Sequence, residues 1–145
     1  MLDSVHDHHW ISDFVQSLGD VLTVSPVEGD GTPEIAWGDL FFYYAPDGVV
    51  PPGQPFATIV TKDYPGEPPA GLGDGVFRVN IDAGRRDQAP VEDPSLRDTV
   101  MPHPVYGHLG WVCVVEPGEG ATPLLHDLLS QAHDAAKRRW ARRHD

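Results

Sequence analysis

The chain predicts an α+β fold, an antiparallel sheet of about five strands with the N- and C-terminal helices packed on one face. Three observations carry it: helical periodicity at both ends of the sequence, a block of strand-like segments between them, and turn-rich connections such as Ala45-Pro46-Asp47-Gly48 and Tyr64-Pro65-Gly66. Those connections suit hairpin-like neighbours better than helical crossovers, which argues against a doubly wound parallel sheet.

Each element has a local reason. From about Ser4 to Leu18, Trp10, Ile11, Phe14, Val15 and Leu18 fall along one helical stripe, and Gly19 follows as a left-handed cap. Strand-like runs come next at about Val21 to Val27, Ile35 to Ala45, Phe56 to Lys62, Val76 to Asp82 and Gly110 to Glu116, bounded by Gly, Pro or Asp clusters. Between Ala83 and Pro104 the chain is irregular, rich in charge and proline. There Asp93 as cap and Pro94 as first helical residue predict a short helix through about Met101. The closing helix is the best specified: Thr122 as N-cap and Pro123 at the first helical position precede Leu124, Leu125, Leu128, Leu129, Ala132 and Ala136 at helical spacing.

Length and composition narrow the function classes. The 145 residues suit one domain with one ordinary core. No apolar run approaches the roughly 20 residues of a membrane helix, and the first residues do not read as a secretory signal, so the expected compartment is the cytoplasm and no membrane partner is expected. Cys113, the single cysteine, lies between Val112 and Val114 and reads as a buried small hydrophobe. Net charge is -12, and Lys137, Arg138, Arg139, Arg142 and Arg143 supply half of the ten Lys and Arg residues. The remainder is strongly acidic, which makes a nucleic-acid partner unlikely on electrostatic grounds outside that tail.

The local signatures of serine hydrolases and of nucleotide binding are absent, while the 22 Asp and Glu residues offer too many carboxylates to single out a catalytic pair. There is no Gly-x-Ser-x-Gly elbow, and Gly71-Leu72-Gly73-Asp74-Gly75 precedes a strand instead of opening a helix, so it forms neither a P-loop nor a dinucleotide fingerprint. His6, Asp7, His8 and His9 carry good metal-ligating groups, but adjacent helical positions point apart. Only His6 with His9, or His126 with His133, share a face, and neither pair matches a metal motif; no metal site and no cofactor are expected.

The candidate binding surface has two parts. In Val76 to Asp82, Phe77, Val79 and Ile81 alternate with Arg78, Asn80 and Asp82. With Lys62 beside them, that polar face would carry two cations, an amide and a carboxylate, enough to orient a small anionic ligand. The plainer reading is a solvent-facing sheet surface with cross-strand charge pairs. The second part is the loop His103-Pro104-Val105-Tyr106-Gly107-His108-Leu109-Gly110-Trp111, in which His103 is a proton carrier or ligand, Tyr106 a hydrogen-bond donor and Trp111 an apolar wall. Its structural alternative has His103 and Pro104 setting the approach to the last strand and Trp111 filling the core beneath the closing helix.

Four segments carry a resemblance: Trp37-Gly38-Asp39-Leu40-Phe41-Phe42-Tyr43, Pro55-Phe56-Ala57-Thr58-Ile59-Val60-Thr61-Lys62-Asp63-Tyr64, Val76-Phe77-Arg78-Val79-Asn80-Ile81, and His103-Pro104-Val105-Tyr106-Gly107 through Trp111. They resemble a family of uncharacterised actinobacterial proteins defined as a domain of unknown function, and the resemblance runs through most of the chain. Segment order and the closing helix are similar, at the level of architecture, to the MmcQ/YjbR-like proteins, whose α+β fold has been compared with DNA-binding modules. Neither resemblance implies a catalytic residue.

Three functional readings follow. The first is a non-catalytic binding or interaction module for a small molecule or peptide, built on Lys62, Arg78, Asn80, Asp82, His103, Tyr106 and Trp111. In the second, a small enzyme uses His103 as acid or base, with Lys62 or Arg78 stabilising an anion. The third binds nucleic acid through the basic C-terminal tail. The sequence sets neither ligand identity nor oligomeric state.

Overall fold

A computed structural model describes residues 8–144. Its elements run α1 (His9–Ser17), β1 (Val21–Val24), β2 (Leu40–Tyr44), β3 (Ala57–Val60), β4 (Arg78–Asp82), β5 (Met101–Pro102), β6 (Trp111–Val115) and α2 (Thr122–Arg143). The strands form one open antiparallel sheet in the order β1-β2-β3-β4-β6-β5. The first four make a meander, and the connection after β4 passes β6 to place β5 at the far edge.

The fold class is as expected, with six strands where about five were predicted. Register explains why one face is the core. Phe42, Ala57, Ile81 and Val112 stand in one cross-strand row and Leu40, Ile59, Val79 and Val114 in the next. These residues join Ile11 and Val15 of α1 and Leu125, Leu128, Leu129, Ala132 and Ala136 of α2 in one cluster. Leu124, expected on the apolar stripe, is exposed. The ring of His133 meets Tyr44 and Phe56 edge-on, and its Nε2–H donates to the Gly19 carbonyl at 2.7 Å, tying α2 to the end of α1. His126 stacks on Phe14 with ring centroids 4.0 Å apart. Among the described residues, no helix is long and apolar enough to cross a membrane.

Element boundaries shift for identifiable reasons. The expected start of the first helix falls partly outside the described residues, as do His6 and Asp7, and the described helix begins at His9. Gly19 takes φ 96°, the left-handed cap. The first strand stops at Val24 because Pro26 brings no backbone donor. The second does not begin at Ile35: Glu34–Ala36 form a 3₁₀ turn and Gly38 takes φ 87°, so pairing starts at Leu40. The third ends at Val60 because the Thr61 N–H turns to the Asp39 carboxylate. The fourth starts at Arg78, since the Phe77 N–H is held by the Glu116 carboxylate.

The predicted helix from Asp93 to Met101 does not form. Asp93 instead closes a local turn with Ser95, Asp98 adopts φ 53°, and the Asp98 N–H donates to Val115. The chain there runs against the sheet and delivers β5 to its edge. The Asp98 carboxylate then accepts the N–H groups of Gly118, Gly120 and Ala121, which holds its pKa below the usual carboxylate range. The start of α2 is thus anchored by a residue 20 or more positions upstream. Thr122 is the first helical residue, and its hydroxyl donates to the Gly118 carbonyl instead of capping.

Candidate functional site

The opposite face of the sheet gathers the polar alternates. Phe41 faces Thr58, Thr58 faces Asn80, and Asn80 faces Cys113 across the strands, while Arg78 stands between Val60 and Val115. That face was expected to be open to solvent or to form an exposed patch, yet Arg78 and Asn80 are only 3% and 5% exposed. The segments joining β2 to β3, β3 to β4 and β4 to β6 rise around it and line a half-open cavity of about 400 Å³. Arg78, Asn80 and Thr58 form its floor, with Glu67 and His103 at the side. Phe41, Tyr43, Tyr64, Tyr106, Leu109 and Trp111 supply apolar and aromatic wall.

Each buried polar group has a defined orientation. Asn80 donates from Nδ2 to the Thr58 hydroxyl at 3.0 Å and accepts from Arg78 Nε at 2.9 Å, so its amide cannot swing. Arg78 Nη2 reaches Glu67 at 3.5 Å, the long limit of a hydrogen bond, and lies 3.3 Å from His103 Nε2. His103 is held by its own loop: Nδ1 accepts from the backbone N–H groups of Val105 and Tyr106 at 3.0 and 3.1 Å. Its backbone N–H donates to Trp111 at 3.0 Å, and its carbonyl accepts from Gly107 at 2.9 Å. Burial, then the adjacent Arg78 charge, push the imidazole down to a pKa of about 3. His103 is therefore neutral at physiological pH. With Nδ1 engaged as an acceptor, its one ring proton sits on Nε2, facing Arg78.

The loop after His103 depends on glycine at two points. Gly107 packs against Pro102, and Gly110 (φ 98°) brings the chain so near Gly84 that a Cβ would lie 2.0 Å from the Gly84 carbonyl oxygen. Trp111, the residue after Gly110, begins β6 and lines the cavity. Tyr106, 45% exposed, sits at the mouth with its ring centroid 5.0 Å from that of His103. Trp111 does not lie beneath α2, as its structural alternative required; it lines the cavity on the other face.

Five of the seven sequence candidates come together here: Arg78, Asn80, His103, Tyr106 and Trp111. Lys62 and Asp82 do not. Lys62 Nζ donates to Asp39 at 2.9 Å and to the Trp37 carbonyl at 2.8 Å. Asp39, fully buried, also accepts from the Thr61 N–H and hydroxyl and from Tyr64 O–H, so Lys62 neutralises a structural carboxylate. Burial and that carboxylate raise the Tyr64 pKa. Asp82 stands at the strand end, where its carboxylate accepts the Gly84 N–H.

Sequence reasoning missed Phe41, Tyr43, Thr58, Tyr64 and Glu67. Phe41 and Tyr43 are hidden in the unbroken run Leu40–Tyr44, where every residue is apolar or aromatic and no binary pattern separates the faces. Thr58 is legible only from the register that sets it against Asn80. Glu67, on the long connection between β3 and β4, has no local signal at all.

No curated protein and no solved structure matches the chain. A family model does, over residues 6–145. The chain belongs to that family, DUF6194, a family of unknown function.

Proposed function

We propose that the chain is a non-catalytic small-molecule binding module whose ligand occupies the cavity on the outer face of the sheet. One observation carries this reading: three nearly buried polar side chains, Arg78, Asn80 and His103, converge on one aromatic-walled space. Its volume of about 400 Å³ falls in the range of ligand pockets. Polar groups sunk beneath loops cost desolvation unless something is gained, and a few such groups set in an apolar wall are how small-molecule sites fix orientation.

The acid–base enzyme is less well supported. The lone pair on His103 Nδ1 is already engaged by two backbone N–H groups, and Nε2 carries the proton, so the neutral ring donates and has no free site to accept. Lys62 is committed to Asp39. A nucleic-acid role for the basic tail is also weaker: those residues end α2, which packs on the opposite face of the sheet, and Arg138 is paired with Asp134. An MmcQ/YjbR-like kinship and a cytoplasmic setting complete the proposal, on architecture and composition, and add no mechanism.

The test is a fragment screen by NMR, following the Trp111 indole and His103 ring signals. Compounds that bind should move both together. If fragments bind only elsewhere, or none moves these signals at millimolar concentration, the reading fails.

A further inference from the structure

Resting on that reading, the geometry points to the ligand class: we propose that the cavity takes a monocarboxylic acid with a flat aromatic body, one carboxylate oxygen accepting from both His103 Nε2–H and Arg78 Nη2–H.

The starting point is a mismatch. Val105 and Tyr106 donate to His103 Nδ1, which forces the ring proton onto Nε2, and Nε2 lies 3.3 Å from Arg78 Nη2. A guanidinium nitrogen is a donor only. Two donors therefore face each other with no acceptor between them. Two nitrogens 3.3 Å apart are both within hydrogen-bond distance of a single oxygen placed on their cavity side, and both residues line the cavity. An anionic oxygen there resolves the mismatch and forms charge-assisted bonds, the stronger kind.

Charge selects a monoanion. Among the described residues that line the site, Arg78 is the one Lys or Arg, since Lys62 is spent on Asp39, and Glu67 already stands 3.5 Å from Arg78 Nη2. A dianion such as a phosphate monoester would meet one guanidinium, a neutral imidazole and a carboxylate in the wall of a chain of net charge -12. The remaining wall selects the body. Tyr43, Tyr106 and Trp111 offer ring surface beside the polar floor, a setting for a flat apolar group packed by offset or edge contacts.

Glu67 acquires a role in this arrangement. Only 20% of its side chain is exposed, and it lies at the edge of hydrogen-bond reach of Arg78, where it competes with an incoming carboxylate. Removing its charge should tighten binding.

The experiment compares three probes with one body, 2-naphthoate, 2-naphthamide and 2-naphthyl phosphate, by calorimetric titration of the full chain and of Glu67→Gln. The carboxylate should bind about tenfold to a hundredfold more tightly than the amide, the difference charged hydrogen bonds make. It should bind more tightly than the phosphate too, and Glu67→Gln should strengthen naphthoate binding by about threefold to tenfold while leaving the amide unchanged. Equal binding of carboxylate and amide overturns the assignment of ligand class and leaves the cavity a binding site. Tighter binding of the phosphate, or weaker naphthoate binding in Glu67→Gln, overturns the monoanion argument. If none of the three binds and the fragment screen also finds nothing at Trp111 and His103, the cavity reading falls with it.

Discussion

Replacing Arg78 by methionine tests its structural role and its ligand role together. The guanidinium is buried, yet its compensation is thin: one 2.9 Å bond to Asn80, one 3.5 Å contact to Glu67, and a facing His103 donor. Removing one partner of a buried ion pair destabilises by about 3–5 kcal/mol when the other is left buried and unpaired. The Glu67 side chain is 20% exposed and meets Arg78 only at 3.5 Å, so it keeps contact with water and adds little of that cost. Arg78→Met also leaves the buried Asn80 carbonyl oxygen without its donor, a cost of about 1–3 kcal/mol. The net expectation is a loss of about 1–3 kcal/mol, which for a chain of this length lowers Tm by about 3–9 °C. Thermal unfolding followed by circular dichroism, with urea titration as a check, measures it. In the same variant 2-naphthoate binding should fall at least about tenfold. A raised Tm, or naphthoate binding as tight as in the wild type, would refute the reasoning, because Arg78 would then neither hold the Asn80 amide nor meet the ligand.

Three further outcomes follow from the same geometry. Asp39→Ala leaves Lys62, Tyr64 and the Thr61 N–H without their common acceptor and should destabilise the fold by about 3–5 kcal/mol, whereas Lys62→Met, which removes the partly exposed cation, leaves a buried carboxylate and should also destabilise; a neutral result for Asp39→Ala in urea unfolding would contradict the assigned network. His103 has its folded pKa depressed from 6.5 to about 3, so its contribution to stability is fully present above pH 6.5 and is lost as pH falls from there toward 3. Nitrogen-detected NMR should find the neutral Nε2–H form unchanged from about pH 8 down to about pH 5, and an imidazolium titrating near neutrality would be inconsistent with this. Gly110→Ala sets a Cβ 2.0 Å from the Gly84 carbonyl oxygen at φ 98° and should cost about 2–4 kcal/mol. A Tm within about 2 °C of wild type would show that the loop has room the structure does not contain.

Much of the architecture could be read from local pattern. Helical spacing in Leu125, Leu128, Leu129, Ala132 and Ala136 and strict alternation in Arg78–Asp82 are properties of a single segment, set by backbone period, and they survive folding unchanged. Alternation also separated Arg78 and Asn80 from the helix-covered core, and the density of His103, Tyr106 and Trp111 beside glycine marked the loop. Boundaries were harder to read where a backbone donor leaves the ladder for a distant side chain, as Thr61 does for Asp39 and Phe77 for Glu116. The helix expected from Asp93 failed for the same kind of reason: Asp98 is recruited to the start of α2, and β6 offers the segment an edge to pair with.

The partition of the cations shows the division most clearly. Lys62 and Arg78 look equivalent along the chain, two basic residues on neighbouring strand segments. The 3₁₀ turn at Glu34–Ala36 and the left-handed Gly38 bring Asp39 to Lys62 and consume its charge, while Arg78 projects from the centre of the sheet into the cavity and meets Glu67 only at 3.5 Å. Periodicity is encoded residue by residue, so composition and spacing specify helices, strands and the face each presents. Which charge is neutralised, which donor is left facing another donor, and whether a polar face lies in water or beneath a loop depend on register and on connections more than ten residues long, and those exist only once the chain has closed on itself.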